Sequence, residues 1–109
     1  MSYDEKLATR IRKQLRDMEG LSEKKMFGGL SFLLHGNMVC GILGQDLIIR
    51  VGRERYAEVL QQPHTREFDL TGKTMKGWVT VEPAGCTKDY ALRRWLRIGV
   101  EYAGSLPAK

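Results

Sequence analysis

The chain has 109 residues, 42% of them hydrophobic and 28% charged, the profile of one soluble globular domain with no room for a second core. A chain of this length buries roughly two-thirds of the surface its unfolded form exposes, so neither disulfides nor a structural metal is required. Eighteen Lys and Arg against thirteen Asp and Glu leave a net charge of +5 and a pI near 9.4, enough to attract a polyanion but well short of histone-like.

The start, MSYDEKLATRIRKQLRDM, is charged from Asp4 onward and lacks the apolar run and small-residue cleavage site of a secretory signal, so the protein is expected in the cytoplasm. Leu7, Ile11, Leu15 and Met18 recur at helical spacing, and residues 3–19 read as an amphipathic helix stopped by Gly20. Asp4, Glu5, Asp17 and Glu19 alternate with its cations and read as intrahelical pairs. KKMFGG follows as a short strand or extended entry, then Leu30 to Leu34, a turn at Gly36-Asn37, and Met38 to Leu43, an antiparallel hairpin. Gly44-Gln45-Asp46 turns the chain into Leu47 to Val51. Arg53 to Gln61 reads as a short surface helix with Tyr56, Val59 and Leu60 on one side, ending before Pro63.

Glu67 to Leu70 and Met75 to Val81 flank Thr71-Gly72-Lys73-Thr74 as a second hairpin carrying Trp78. Thr87 to Gly104 closes the chain as a helix, with Thr87 as N-cap and Ala91, Leu92, Trp95, Ile98 and Tyr102 on its buried face. The expected fold is α+β and two-layered: an antiparallel sheet with helices on one face, in the order α-β-β-β-α-β-β-α, with an ordered core over 3–104 and a loose tail at 105–109.

Met26 to Gln45 is twenty residues without a formal charge, about the length that spans a bilayer. Five glycines and the His35-Gly36-Asn37 turn break it, so two strands and no membrane segment are expected. Cys40 and Cys86, without a CxxC, read as reduced and buried, and His35 with Cys40 is the only closely spaced pair of metal-type ligands. No metal or cofactor is assigned.

Thr71-Gly72-Lys73-Thr74 resembles the end of a phosphate-binding loop, but its first glycine position holds Glu67 and a strand follows, so it reads as a hairpin turn. No Ser, Cys or Thr lies in a recognisable nucleophile motif, and no catalytic residue is assigned. The basic residues Lys24, Lys25, Arg93, Arg94 and Arg97 are candidate nucleic-acid contacts if they share a face. Trp78 and Trp95 are read as core rather than as stacking platforms.

KKMFGG at Lys24 to Gly29, the Gly36-Asn37-Met38 turn, LIIRV at Leu47 to Val51, Thr71-Gly72 leading to Met75, Pro83, and a final helix ending YAGSLP together resemble the TfoX/Sxy N-terminal domain family. Met26, Phe27, Gly28 and Gly29 are the most specific piece, whereas Met75-Lys76-Gly77-Trp78 departs from the Met-Ser-Tyr-like string of many members. The resemblance implies a two-layer fold similar to the secretion-chaperone-like group and a small non-enzymatic module. What the resemblance implies for two-domain members is regulation of natural competence together with the cyclic-AMP receptor protein. Their helix-hairpin-helix-like C-terminal half has no counterpart after Leu106, so that role is not carried over.

For the motif itself, packing is the expected use: Met26 and Phe27 start the core, and the glycine pair either permits close backbone approach or forms an anion-binding nest. The expected function is docking of a protein partner or a second copy through the open side of the sheet, where either Ser31, Leu33 and His35 or Leu30, Phe32 and Leu34 face away from the helices. The alternative is a nucleic-acid-binding accessory factor.

Overall fold

A computed structural model describes residues 3–26, 28–70 and 72–109. The elements run α1 (Glu5–Leu15), β1 (Leu21–Met26), β2 (Gly29–Leu34), β3 (Asn37–Leu43), β4 (Asp46–Arg50), α2 (Arg53–Leu60), β5 (Thr65–Leu70), β6 (Lys73–Val81), a 3-10 turn (Pro83–Cys86) and α3 (Asp89–Gly104). The strands form one antiparallel sheet in the order β1-β2-β3-β4-β6-β5. This is the expected α+β architecture; the extended entry at Lys24 is a full edge strand, which makes the first meander four-stranded.

Helix α1 begins where the Asp4 carboxylate accepts from the backbone N–H of Lys6 (2.9 Å) and Leu7 (3.4 Å), satisfying donors that have no intrahelical partner. It buries Leu7, Ala8, Ile11 and Leu15 and stops at Leu15, earlier than the expected end near Glu19. Its arginines pair outward rather than within the helix. Arg10 reaches Asp89 (3.1 Å) and the Cys86 carbonyl (2.8 Å), and Arg12 holds Glu23 of β1 at 2.7 Å.

Two-residue connections close the β2–β3 and β3–β4 hairpins. The first is His35-Gly36, both at positive φ (51° and 84°), the backbone of a type I′ turn whose twist matches the strands. Asn37 therefore opens β3 instead of lying in the turn. Its side-chain amide donates to the Pro107 carbonyl at 2.9 Å, and Lys109 N–H donates to the His35 carbonyl at 2.9 Å, so residues expected as a loose tail lie across this hairpin.

The core lies between the helices and one face of the sheet. Leu30, Phe32, Leu34, Cys40, Ile42, Leu47, Ile49, Val79 and Val81 point into it from the strands, against Leu7 and Ile11 of α1, Val59 of α2, and Leu92, Trp95 and Leu96 of α3. Each large apolar side chain fully buried there contributes about 1.5–3 kcal/mol of transfer free energy. Trp95 meets the core expectation: it is buried and its indole N–H donates to the Gly85 carbonyl at 3.0 Å. Thr87 does not cap α3, whose N-cap is Lys88; its hydroxyl donates back to the Pro83 carbonyl.

Candidate functional site

Because side chains alternate across a strand, the same registers that send Leu30, Phe32 and Leu34 into the core send Ser31 and Leu33 to the other face, which carries no helix. One row crosses the whole sheet there: Lys24, Ser31, Gly41, Ile48, Thr80 and Arg66 are successive cross-strand partners. The middle of the row is apolar or small, and its ends are charged. Met26, Met38 and Phe68 stand around a shallow hollow of about 40 Å³ over Ser31, Gly41 and Ile48. Ile48 is only 4% exposed although no helix covers it, because its neighbours shield it. At the β5 end of the row Arg66 pairs with Asp46 (2.6 Å) and Glu82 (3.3 Å).

A second feature lies at the end of the sheet, where β4 passes into α2. The N–H groups of Val51 and Gly52 both donate to the Gly77 carbonyl (2.8 and 3.0 Å), which ties this connection to β6. Gly52 sits at φ 82° and lies flat against Tyr102, whose Cε1 would be 2.5 Å from an added Cβ, so the position has neither the conformation nor the space for a side chain. The result is a cleft of about 590 Å³ whose lining includes Arg50, Arg53, Lys76, Trp78 and Tyr102. Trp78, read from sequence as core, is half-buried here. The Arg50 guanidinium carbon is 5.2 Å from the Trp78 ring centre and 5.2 Å from that of Tyr102, cation–π distances that fix its orientation.

The five basic residues singled out from sequence lie apart. Lys24 faces the helix-free side, whereas Lys25, next to it on β1, faces the helix side. Arg93 and Arg97, one turn apart, line a depression between α1 and α3, and Arg93 donates to the Gln14 side-chain oxygen at 3.3 Å. Arg94 leans the other way, its guanidinium 4.4 Å from the Trp95 ring centre and bonded to Gln62. What sequence reasoning missed is the cluster around Arg50, whose members come from separate stretches of chain that only the tertiary fold unites.

In the Met26-Phe27-Gly28-Gly29 string, Phe27 lies outside the described residues. Met26, expected to start the core, is instead paired with Gly29 and lies on the helix-free face. Gly28 is exposed at φ 77°, and a Cβ on Gly29 would collide with the Ile42 carbonyl oxygen. Close strand approach explains Gly29 directly. Cys40 is fully buried in the core and His35 is exposed on its turn, so this pair does not converge. Burial raises the Cys40 thiol far above its ordinary range, and burial, aided by Asp46 and opposed by Arg10, pushes Cys86 up to about 11. Neither is a thiolate at neutral pH. Among the described residues no group of three His, Cys, Asp or Glu is placed to hold a metal, and no helix is long and apolar enough to cross a membrane.

The order of elements and the single antiparallel sheet, with the helices packed on one of its faces, define the class as a small two-layer α+β domain. The family model described as the TfoX N-terminal domain matches residues 13–103, and the chain belongs to that family. No curated protein and no solved structure matches it.

Proposed function

We propose that this TfoX-like regulatory domain acts without catalysis, by docking, and that the occupant of its helix-free sheet face is a second copy of the chain. The observation that carries this reading is the row from Lys24 to Arg66. Its centre is small or apolar, Ser31, Gly41, Ile48 and Thr80 with Met38 and Phe68 beside them, and lets a second sheet approach closely, while one end carries the cation Lys24 and the other the Asp46–Arg66–Glu82 cluster with one net negative charge. A two-fold axis parallel to the strands sets β1 of one copy against β5 of the other. Lys24 then faces the acidic cluster at both ends of the interface, and the hollow between Met38 and Phe68 receives apolar side chains of the opposite copy.

Sedimentation equilibrium at micromolar concentration tests this. The wild-type protein is expected to gain mass with concentration, and Met38→Lys or Phe68→Lys, at half-buried positions on that face, to remain monomeric with unchanged circular dichroism. Tyr90→Ser, at the exposed position on α3, is expected to associate normally. A strict monomer at every concentration, or association that both lysine variants retain, contradicts the reading.

A further inference from the structure

We propose that the cleft between the β4–α2 connection, β6 and the end of α3 binds a phosphate monoester carried on a flat aromatic group, in chemical class a nucleoside monophosphate. Elsewhere on the surface Arg10, Arg12 and Arg66 are matched to carboxylates and Arg93 and Arg94 to the side-chain oxygens of Gln14 and Gln62. Among the described residues no ion pair engages Arg16 or Arg97, which stand at the end of α1 and on α3 rather than in a cleft with other cations and aromatic walls. In the cleft only Arg55 is matched, to Glu101 at 3.2 Å; among the described residues no ion pair engages Arg50, Arg53 or Lys76. With Glu54 counted, the four cations and two carboxylates of the lining leave a surplus of two positive charges, the complement of a phosphate dianion.

Arg50 is already oriented by the two rings that flank it, so its planar fork offers parallel N–H donors to phosphate oxygens with little further loss of side-chain entropy. Lys76 and Arg53, each next in the chain to one of the two glycines joined by the Gly52–Gly77 hydrogen bond, both line the cleft and add their charge to that of Arg50. The aromatic requirement follows from the walls: the Arg50 guanidinium lies over the Trp78 and Tyr102 rings, and a flat base extends this cation–π stack, on the guanidinium plane or on the ring surface that Arg50 leaves open, while its phosphate is neutralised by the cations around it. At about 590 Å³ the cleft falls within the size range of small-molecule sites. A free nucleotide and the 5′-phosphorylated end of a strand share this chemistry.

The chain has two tryptophans, and Trp95 is 1% exposed, so quenching of intrinsic fluorescence reports on Trp78. AMP, adenosine, inorganic phosphate and a short oligothymidylate with or without a 5′ phosphate are titrated at low salt. AMP is expected to quench saturably and to bind at least about tenfold more tightly than adenosine, the worth of a charge-assisted contact. Arg53→Gln with Lys76→Gln, both at exposed positions, is expected to lose about tenfold or more with unchanged circular dichroism, and Lys13→Gln with Lys88→Gln, away from the cleft, to lose nothing. Tighter binding of the phosphorylated oligonucleotide than of AMP, abolished in the same double variant, assigns the strand end as the source; the reverse order assigns the free nucleotide. No saturable change with AMP or the phosphorylated strand, adenosine binding as tightly as AMP, or binding unchanged in Arg53→Gln/Lys76→Gln overturns the proposal.

Discussion

Gly99 of α3 rests directly on the backbone of Val39 in β3, so that a Cβ placed on it would lie 2.5 Å from the Val39 carbonyl oxygen. Helix and sheet approach this closely only because the residue has no side chain, and the contact sets the height of α3 over the core. Gly99→Ala is expected to destabilise the fold by about 1–3 kcal/mol through overpacking. Gly104→Ala in the same helix, where an added Cβ meets only Leu34 Cδ2 at 4.0 Å, is expected to be neutral or stabilising by about 0.5–1 kcal/mol, since alanine restricts the unfolded chain. Urea denaturation of both variants checks the pair; equal effects would remove the Val39 approach as the cause.

The two buried thiols make stability depend on alkaline pH. Both folded-state values are raised, Cys86 to about 11 from an ordinary 9.0 and Cys40 further. Below the ordinary value both states are protonated and the thiols contribute fully. As pH rises past it the unfolded chain ionises first, so stability falls with each step, for Cys86 until about 11. The denaturation midpoint is expected to decline across this window, less steeply in Cys86→Ala. In the native state neither thiol is expected to react with a disulfide reagent at mildly alkaline pH, whereas both react on unfolding. Rapid native labelling of either would contradict the burial argument.

The nucleic-acid alternative has its own measurement. Arg93 and Arg97 share one depression, whereas Lys24 points from the other layer of the molecule. If duplex DNA binds beside α3, Arg93→Ala with Arg97→Ala is expected to lower the slope of log K against log salt by about two, one unit for each phosphate no longer neutralised. Lys24→Ala is expected to leave that slope unchanged. Equal contributions from all five cations would show a surface that the strand register does not provide.

Much of this architecture is written in local patterns. The Leu7, Ile11 and Leu15 stripe, the continuous apolar run Leu47 to Ile49 and the glycines at the turns determine their elements with neighbours close in the chain. Strand β1 is harder to read because it is an edge: Ser22 to Lys25 are all exposed, so no apolar alternation marks them, and the charged side chains that guard an edge look like any solvated segment. The turn between β2 and β3 lies one residue earlier than Gly36-Asn37 suggests, because positive φ at His35 has no strong compositional signature. Grouping Lys24 with Lys25 ignores the pleat, which parts neighbours in a strand. The cleft is not legible at all, since Arg50, Trp78 and Tyr102 meet only when β4, β6 and the end of α3 are assembled, and any of the three alone reads as a surface or core residue.

The most direct test of docking through the helix-free face is the backbone amide spectrum of the wild-type protein diluted from millimolar to micromolar concentration. Shifts are expected to be confined to the strands and largest around Ser31, Met38, Gly41, Ile48 and Phe68, with the exposed side of α3 near Tyr90 and Arg97 unmoved. A spectrum independent of concentration, or shifts centred on the helices, would contradict it.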